Sequence, residues 1–391
     1  MSDFFIEEIP NMQNSHRNIS YKILTPPRKI NELYLIKRLQ KYRESCKGRE
    51  FNFGNEPLYT MKSHFKMSTS HHILYCSVEK AGSTFWKRVL QMLDSTNIDS
   101  PFQILPLHVN DRGQSFYEHR VYNVLAALRT NFVFMFARNP FNRLLSGYLD
   151  KVYTANPFYW NLFGEQIRHH KRNSMSCHSN ITFQEIVEYV IKAEGKFIKK
   201  RDPHFMAMFD KCKPCQIPYD FIGKMETFES DVQFLMKTWN ISKFRGIAMK
   251  QNVVDDIFLD VATSLEDRRQ LILKCISLHE AYRRSWKHMQ IKGLISDKQT
   301  YPFNEIESAN ITPIRLIKVM KLAHLNSDPK ELMRQKAKYF NNIYRTVPQK
   351  TLRMLTEALR PDFHIFDYNP FPKAIFNERK RQLNHSDIFN F

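Results

Sequence analysis

Lys80-Ala81-Gly82-Ser83-Thr84 sets one cation, two small residues and two hydroxyls in a row. Between a strand and a helix, such a run can ring an anion: the first-turn N–H groups and hydroxyls surround it and the lysine supplies charge. Phe85 and Trp86 close the run, and the Gly-x-x-x-x-Gly-Lys spacing of a Walker loop is absent. A second segment, Arg138-Asn139-Pro140-Phe141-Asn142-Arg143, is followed by Ser146. An arginine at a strand's end and a serine eight residues on, in the next helix, can hold a phosphate by charge-assisted hydrogen bonds. Asp202-Pro203-His204 offers an imidazole, whose ordinary pKa near 6.5 suits a general base, on a backbone fixed by proline. Plainer readings stand beside these: a capped helix after a tight turn, a surface arginine on a solvated face, and a structural histidine bonded to Asp202 or a carbonyl.

The elements that would position these residues follow from hydrophobic periodicity. Ile73 to Ser77 is a short apolar run, and Trp86, Val89, Leu90 and Leu93 then recur at helical spacing. Phe132 to Phe136 is a continuous apolar run suited to a strand buried on both faces. After the turn at Arg138 to Pro140, Leu145, Tyr148, Leu149 and Val152 share one helix face while Arg143, Ser146 and Asp150 share the other. Two strand-loop-helix units predict an α/β single domain with a central parallel sheet flanked by helices. Residues 1–65, without sustained periodicity, read as a stem or arm, 66–372 as the domain, and 373–391 as a polar, peripheral tail. The stretch from 265 to 360 reads as mostly helical, with Leu352, Leu355 and Leu359 a core stripe.

The chain has 391 residues and a net charge of +20, which calls for a partner rich in negative charge: nucleic acid, an anionic membrane or an acidic polysaccharide. No apolar stretch has the length of a membrane span and the first thirty residues are too polar for a signal peptide, so the chain as written reads as soluble. Asn-x-Ser/Thr patterns at Asn18, Asn180, Asn240, Asn310 and Asn384 would be glycan acceptors only in the secretory pathway. Six cysteines allow one to three disulfides in an oxidising lumen. For Cys212 and Cys215, zinc would need two more ligands, with Cys177-His178 the nearest candidate, and a redox role would want a thioredoxin-like setting. A structural disulfide involving Cys177 or Cys275 is the expectation, although connectivity cannot be read from sequence.

The two phosphate-type segments together resemble the 5′-phosphosulfate and 3′-phosphate motifs of the Golgi carbohydrate sulfotransferases, the family that includes the chondroitin and dermatan 4-O-sulfotransferases and the glucuronyl 3-O-sulfotransferase. Further matches follow in order: Asp202-Pro203-His204-Phe205, Cys212-Lys213-Pro214-Cys215, Tyr219 to Thr227, and Asp362-Phe363 to Tyr368. They span about residues 70 to 372. The resemblance implies a P-loop-like sulfotransferase fold and 3′-phosphoadenosine 5′-phosphosulfate (PAPS) as sulfonate donor, with no metal. Lys80 to Trp86 would hold the 5′-phosphosulfate, with Lys80 also catalytic, while Arg138 and Ser146, in the segment with Asn139, Pro140 and Arg143, would hold the 3′-phosphate. It also implies His204 in the substrate cleft as base, a glycan rather than nucleic-acid partner, and residence in the Golgi lumen or, as type II proteins, its membrane. Glu79 stands where the family has proline, Phe205 replaces its tryptophan, and roughly 285 to 340 matches poorly. The rival readings are a nucleotide-dependent kinase, and a basic glycan- or nucleic-acid-binding protein without catalysis.

Overall fold

Four short strands, β1 (Phe65–Ser68), β2 (Ile73–Cys76), β3 (Phe132–Ala137) and β4 (Phe221–Lys224), form one sheet in the order β1-β2-β3-β4. The computed structural model describes residues 33–47, 64–105, 109, 124–168, 177–195, 201–241, 249–376 and 382–389. Strands β2, β3 and β4 are parallel, with Cys76 opposite Met135 and Met135 opposite Ile222. The expected parallel sheet is therefore a mixed one. Strand β1 runs antiparallel to β2, with Ser68 opposite Ile73. Its four residues, Phe-Lys-Met-Ser, are too few to show a period, so the edge strand escaped the sequence reading.

The helices in the first part of the chain are α1 (Leu33–Cys46), α2 (Ser83–Leu93), α3 (Val124–Thr130), α4 (Pro140–Tyr148), α5 (Pro157–Arg168), α6 (Phe183–Glu194), α7 (Met208–Cys212) and α8 (Phe228–Thr238). Helix α4 continues into a π-helical turn, Leu149–Tyr153. The later helices are α9 (Met249–Asp267), α10 (Arg269–Leu273), α11 (Leu278–Ile291), α12 (Glu305–Ala309), α13 (Pro313–Leu325), α14 (Pro329–Tyr344), α15 (Gln349–Ala358), α16 (Arg360–Ile365) and α17 (Ser386–Phe389).

Apolar runs become strands here because both sheet faces are covered. Leu74, Cys76, Val133 and Met135 pack with Leu39, Met208 and Ile365 on one face. Tyr75, Phe134 and Phe136 pack with Trp86, Val89 and Leu235 on the other. Trp86 is the wedge of that second layer, its ring centroid 4.8 Å from Phe134 and 4.9 Å from Phe136. Two further clusters fill the helical part, one around Phe141, Phe183, Tyr344 and Leu352, the other around Trp160, Phe258 and Trp286.

Both flanks of the predicted domain contribute to these cores. Within the segment read as a stem, α1 buries Leu35, Leu39 and Tyr42, and its Arg38 pairs with fully buried Asp231 at 2.6 Å. Within the segment read as a peripheral tail, Ile375, Ile388 and Phe389 are buried. Disulfides join Cys46 to Cys215, Cys76 to Cys212, and Cys177 to Cys275. This corrects the expected pairing. Cys177 and Cys275 bond each other, and the closely spaced Cys212 and Cys215 reach in different directions, to β2 and to α1. Among the described residues no helix is long and apolar enough to cross a membrane.

Candidate active site

In a parallel sheet the strands end on one edge, and the loops leaving those ends share a crevice. The loops after β2, β3 and β4 meet at that edge. The β2 loop turns sharply because Lys80 and Gly82 both take left-handed conformations, at φ 66° and φ 80°. Gly82 is also the N-cap of α2 and makes no side-chain cap, so the helix start is left to a ligand or to solvent. Ser83 is half-buried and Thr84 exposed at this start, whereas Ala81, Phe85 and Trp86 are buried in the core beneath it.

The β3 loop is capped differently. Asn139 accepts from the backbone N–H groups of Phe141 and Asn142 at 3.0 and 3.3 Å, and Pro140 opens α4. From this loop Arg138 donates to the Lys80 carbonyl at 2.9 Å, joining the two phosphate-type segments directly. Burial lowers the Arg138 pKa and nearby Glu226 partly offsets that. Glu226, just beyond β4, accepts from the Asn139 N–H at 3.0 Å and from the Tyr368 hydroxyl at 2.8 Å. Ser146, half-buried on α4, makes no side-chain hydrogen bond among the described residues, while its carbonyl accepts from the Leu149 N–H.

Arg143 does something the sequence did not suggest. It is 4 % exposed rather than on a solvated face, and it donates to the carbonyls of Glu79 at 2.9 Å, Met206 at 2.7 Å and Pro203 at 3.0 Å. With those donors committed to backbone, it fastens the β2 loop to the segment that carries His204.

His204 accordingly faces the same crevice. Its Nδ1 lies 2.9 Å from the Asp202 carboxylate and 3.4 Å from the Tyr159 hydroxyl, which leaves Nε2 without a partner among the described residues. Burial lowers the imidazole pKa; the bond to Asp202 opposes this without cancelling it. The ring is therefore neutral near pH 7, with Asp202 favouring the tautomer whose Nε2 can accept a proton.

Charge at the crevice is mainly positive. Lys80 pairs with Asp150 at 2.8 Å and Lys151 with the same carboxylate at 3.1 Å. Burial alone would raise the Asp150 pKa, but the two lysines hold it well below the usual carboxylate range. Lys151 also lies over the Tyr159 ring at 5.4 Å. Glu79 is bonded by Lys211 of α7, and that lysine outweighs burial to keep Glu79 ionised. Lys80, Lys151 and Arg138 thus face fewer acids than their own number, and the arrangement suits an anion with two charged ends.

Asp150, Lys211, Glu226 and Tyr368 were not foreseen as site residues. Glu226 and Tyr368 stood inside matched motifs, the only signal that could have raised them. Basic residues crowd two short stretches, 168–172 and 199–201; there Arg168 is paired with Glu185 at 3.0 Å and Arg201 with Glu194 at 2.9 Å, and residues 169–172 and 199–200 lie outside the described residues. Among the described residues no group of acidic, histidine and cysteine side chains could hold a metal ion.

Parallel strands whose ends present an uncapped helix start beside cationic side chains make this an α/β protein with a candidate anion site at that edge. The chain belongs to the sulfotransferase family, whose profile matches residues 63–282. It is similar to carbohydrate sulfotransferase 11 of Rattus norvegicus, 25% identical over 56% of this chain and 64% of that protein. It is also similar to carbohydrate sulfotransferase 14 of Danio rerio, 29% identical over 46% of this chain and 48% of the relative. Carbohydrate sulfotransferase 8 of Homo sapiens is 31% identical over 42% of this chain and 40% of its own length. The chain thus matches between two fifths and two thirds of these relatives' lengths. No solved structure gives a significant match.

Proposed function

We propose that the protein transfers a sulfonate group from PAPS to a hydroxyl of a glycan, in the Golgi lumen or at its membrane. One observation carries the reading: the Arg138 hydrogen bond to the Lys80 carbonyl, which ties the two phosphate-type loops into one crevice. The names of the relatives support a carbohydrate acceptor, and we extend this to chondroitin, dermatan or a related acidic glycan. Three disulfides fit an oxidising compartment.

PAPS supplies an activated sulfonate on a 5′-phosphate and a separate 3′-phosphate. The residues present fit such a group: an uncapped helix start with Ser83 and Thr84 beside Lys80 for one end, Arg138 and the unbonded hydroxyl of Ser146 for the other. In this reading Asn139 and Pro140 shape the second loop, and Phe85 and Trp86 hold the first in register from below. Arg143 positions rather than binds, since its donors serve three carbonyls. His204, neutral and oriented by Asp202, takes the proton of the acceptor hydroxyl at Nε2 as that oxygen bonds to sulfur. Lys80 and the α2 N-terminus stabilise the charge left on the departing phosphate oxygen.

The experiment is incubation with radiolabelled PAPS and a panel of chondroitin, dermatan, heparan and glucuronyl-terminated acceptors. Label appearing in one glycan class supports the proposal. Absence of label in every class, together with no affinity for adenosine 3′,5′-bisphosphate, overturns it.

A further inference from the structure

Two of the cations assigned so far already have acidic neighbours. Lys80 is paired with Asp150 and Arg138 faces Glu226. Helix α11 brings in another cation. It packs against the π-helical turn that carries Asp150, and its end offers His288 and, at the C-cap, Lys292, four residues apart and so on one face.

Local structure fixes where that end lies. Gly293 takes φ 69°, and a Cβ there would come within 2.7 Å of the Leu332 carbonyl oxygen and 3.0 Å of the Lys336 Cβ. The Gly293 and Leu294 N–H groups return to the Gln290 and Met289 carbonyls at 3.0 and 2.9 Å, closing the helix. Glycine therefore stops α11 hard against α14, with Lys292 the last residue before that stop.

A lysine at a helix C-terminus is ordinary in itself. Lys292 differs in its surroundings. It is half-buried, and its ammonium has neither an ion pair nor a hydrogen bond among the described residues. The charges that act on it come from four separate elements: Lys80 of the β2 loop, Asp150 of the π-helical turn, Arg138 beyond β3, and Asp260 of α9. It is thus placed to feel both the lysine of the first loop and the arginine of the second. Burial, then Lys80, lowers its pKa to about 8. His288 is 2 % exposed and its Nδ1 has no partner; burial and then Lys292 keep it neutral, so it cannot stand in as the cation. Burial, then Asp150, raises the pKa of Asp260, weakening it as a counter-ion.

We infer that Lys292 is a further donor-site cation, binding the 5′-phosphate of the sulfonate donor between Lys80 and Arg138. The inference rests on the sulfonate-transfer reading. When the sulfur–oxygen bond to the phosphate breaks, its electron pair stays on the phosphate oxygen; the acceptor oxygen bonds to sulfur and its proton goes to His204. The phosphate thereby gains a negative charge at the moment of transfer, and an ammonium without a carboxylate partner is free to meet it. Lys292 lies beyond residue 282, outside the span matched by the family.

The test is calorimetric titration of the full chain with adenosine 3′,5′-bisphosphate at pH 7 and pH 9, using Lys292→Met and Lys292→Arg, with Lys80→Ala and Arg138→Ala for reference. Loss of a charge-assisted contact predicts affinity about tenfold to a hundredfold weaker in Lys292→Met. Wild-type affinity falls as pH rises through about 8, because the ammonium then loses its proton. Lys292→Arg, charged at both pH values, keeps its affinity and shows no such fall. If Lys292→Met binds as tightly as wild type while Lys80→Ala and Arg138→Ala bind weakly, the inference is wrong and the donor reading stands. If wild type binds no bisphosphate, both fall.

Discussion

Arg143 donates to the Pro203 carbonyl at 3.0 Å, so the residue immediately before His204 is held by the helix that also bears Ser146. The general base and the donor site proposed here are therefore tied together through one side chain. Their separation is set by a buried guanidinium, not by the flexibility of a surface loop.

Truncating that guanidinium leaves three carbonyls without their donor. At about 1 to 3 kcal/mol for each buried group left unsatisfied, Arg143→Ala should lose several kcal/mol of stability. Arg143→Lys, a point donor without the planar fork, should recover only part of it. Urea unfolding monitored by intrinsic fluorescence measures both; an unchanged midpoint in Arg143→Ala would show that the tie is not structural.

The proposed donor site predicts a nucleotide preference. Arg138→Ala and Ser146→Ala should weaken adenosine 3′,5′-bisphosphate by about 1.5 to 3 kcal/mol while barely affecting the 5′-monophosphate, which has no 3′ group for them to hold. Titration of both nucleotides against each variant decides it. Equal weakening of the two would remove these residues from the 3′ side.

For His204, a base must be neutral to accept a proton, and burial has moved its pKa below the ordinary 6.5. The kcat profile should stay level as pH falls past 6.5 and decline only further toward acid. His204→Ala should fold, keep nucleotide affinity and lose about a hundredfold or more in kcat. Asp202→Asn, which keeps the shape but loses the charge opposing the downward shift, should move the acid limb to still lower pH. Near-normal turnover in His204→Ala would put the base elsewhere.

His385 gives a second pH prediction, for stability. Its imidazole bonds the Tyr148 hydroxyl at 2.9 Å, and burial, then Arg284, lowers its pKa to about 4, with Glu185 opposing. Above the unfolded value near 6.5 both docked and undocked forms are neutral and docking is complete. As pH falls below that, the undocked form binds the proton first, so docking weakens progressively until about pH 4. Protection of residues 382–389, taken as the exchange rate relative to the intrinsic rate at each pH, should fall across that window in wild type and stay flat in His385→Phe.

Strands β2 and β3 were legible because a strand buried on both faces writes a continuous apolar run, and the helices after them because Trp86, Val89, Leu145 and Tyr148 recur at helical spacing. Helix α1 was missed although Leu35, Leu39 and Tyr42 recur at helical spacing, because the stripe is short and its neighbours are mixed: apolar Ile36 is exposed while Arg38 turns inward to Asp231. Arg143 misled for the opposite reason: the spacing that groups it with Ser146 and Asp150 carries no record of the Glu79 and Pro203 carbonyls it meets. Cysteine pairing and Lys292 depend on segments brought together across long stretches of chain, a relation that local periodicity does not encode.

The bridges from Cys46 to Cys215 and from Cys76 to Cys212 leave the chain at nearly the same point and return to it on either side of β1. Covalently, residues 46–76 and 212–215 make a closed ring. A nick anywhere between Lys47 and Tyr75 would open the backbone without releasing a fragment: α1 would stay attached through sulfur, and the cut would change the apparent mass only after reduction.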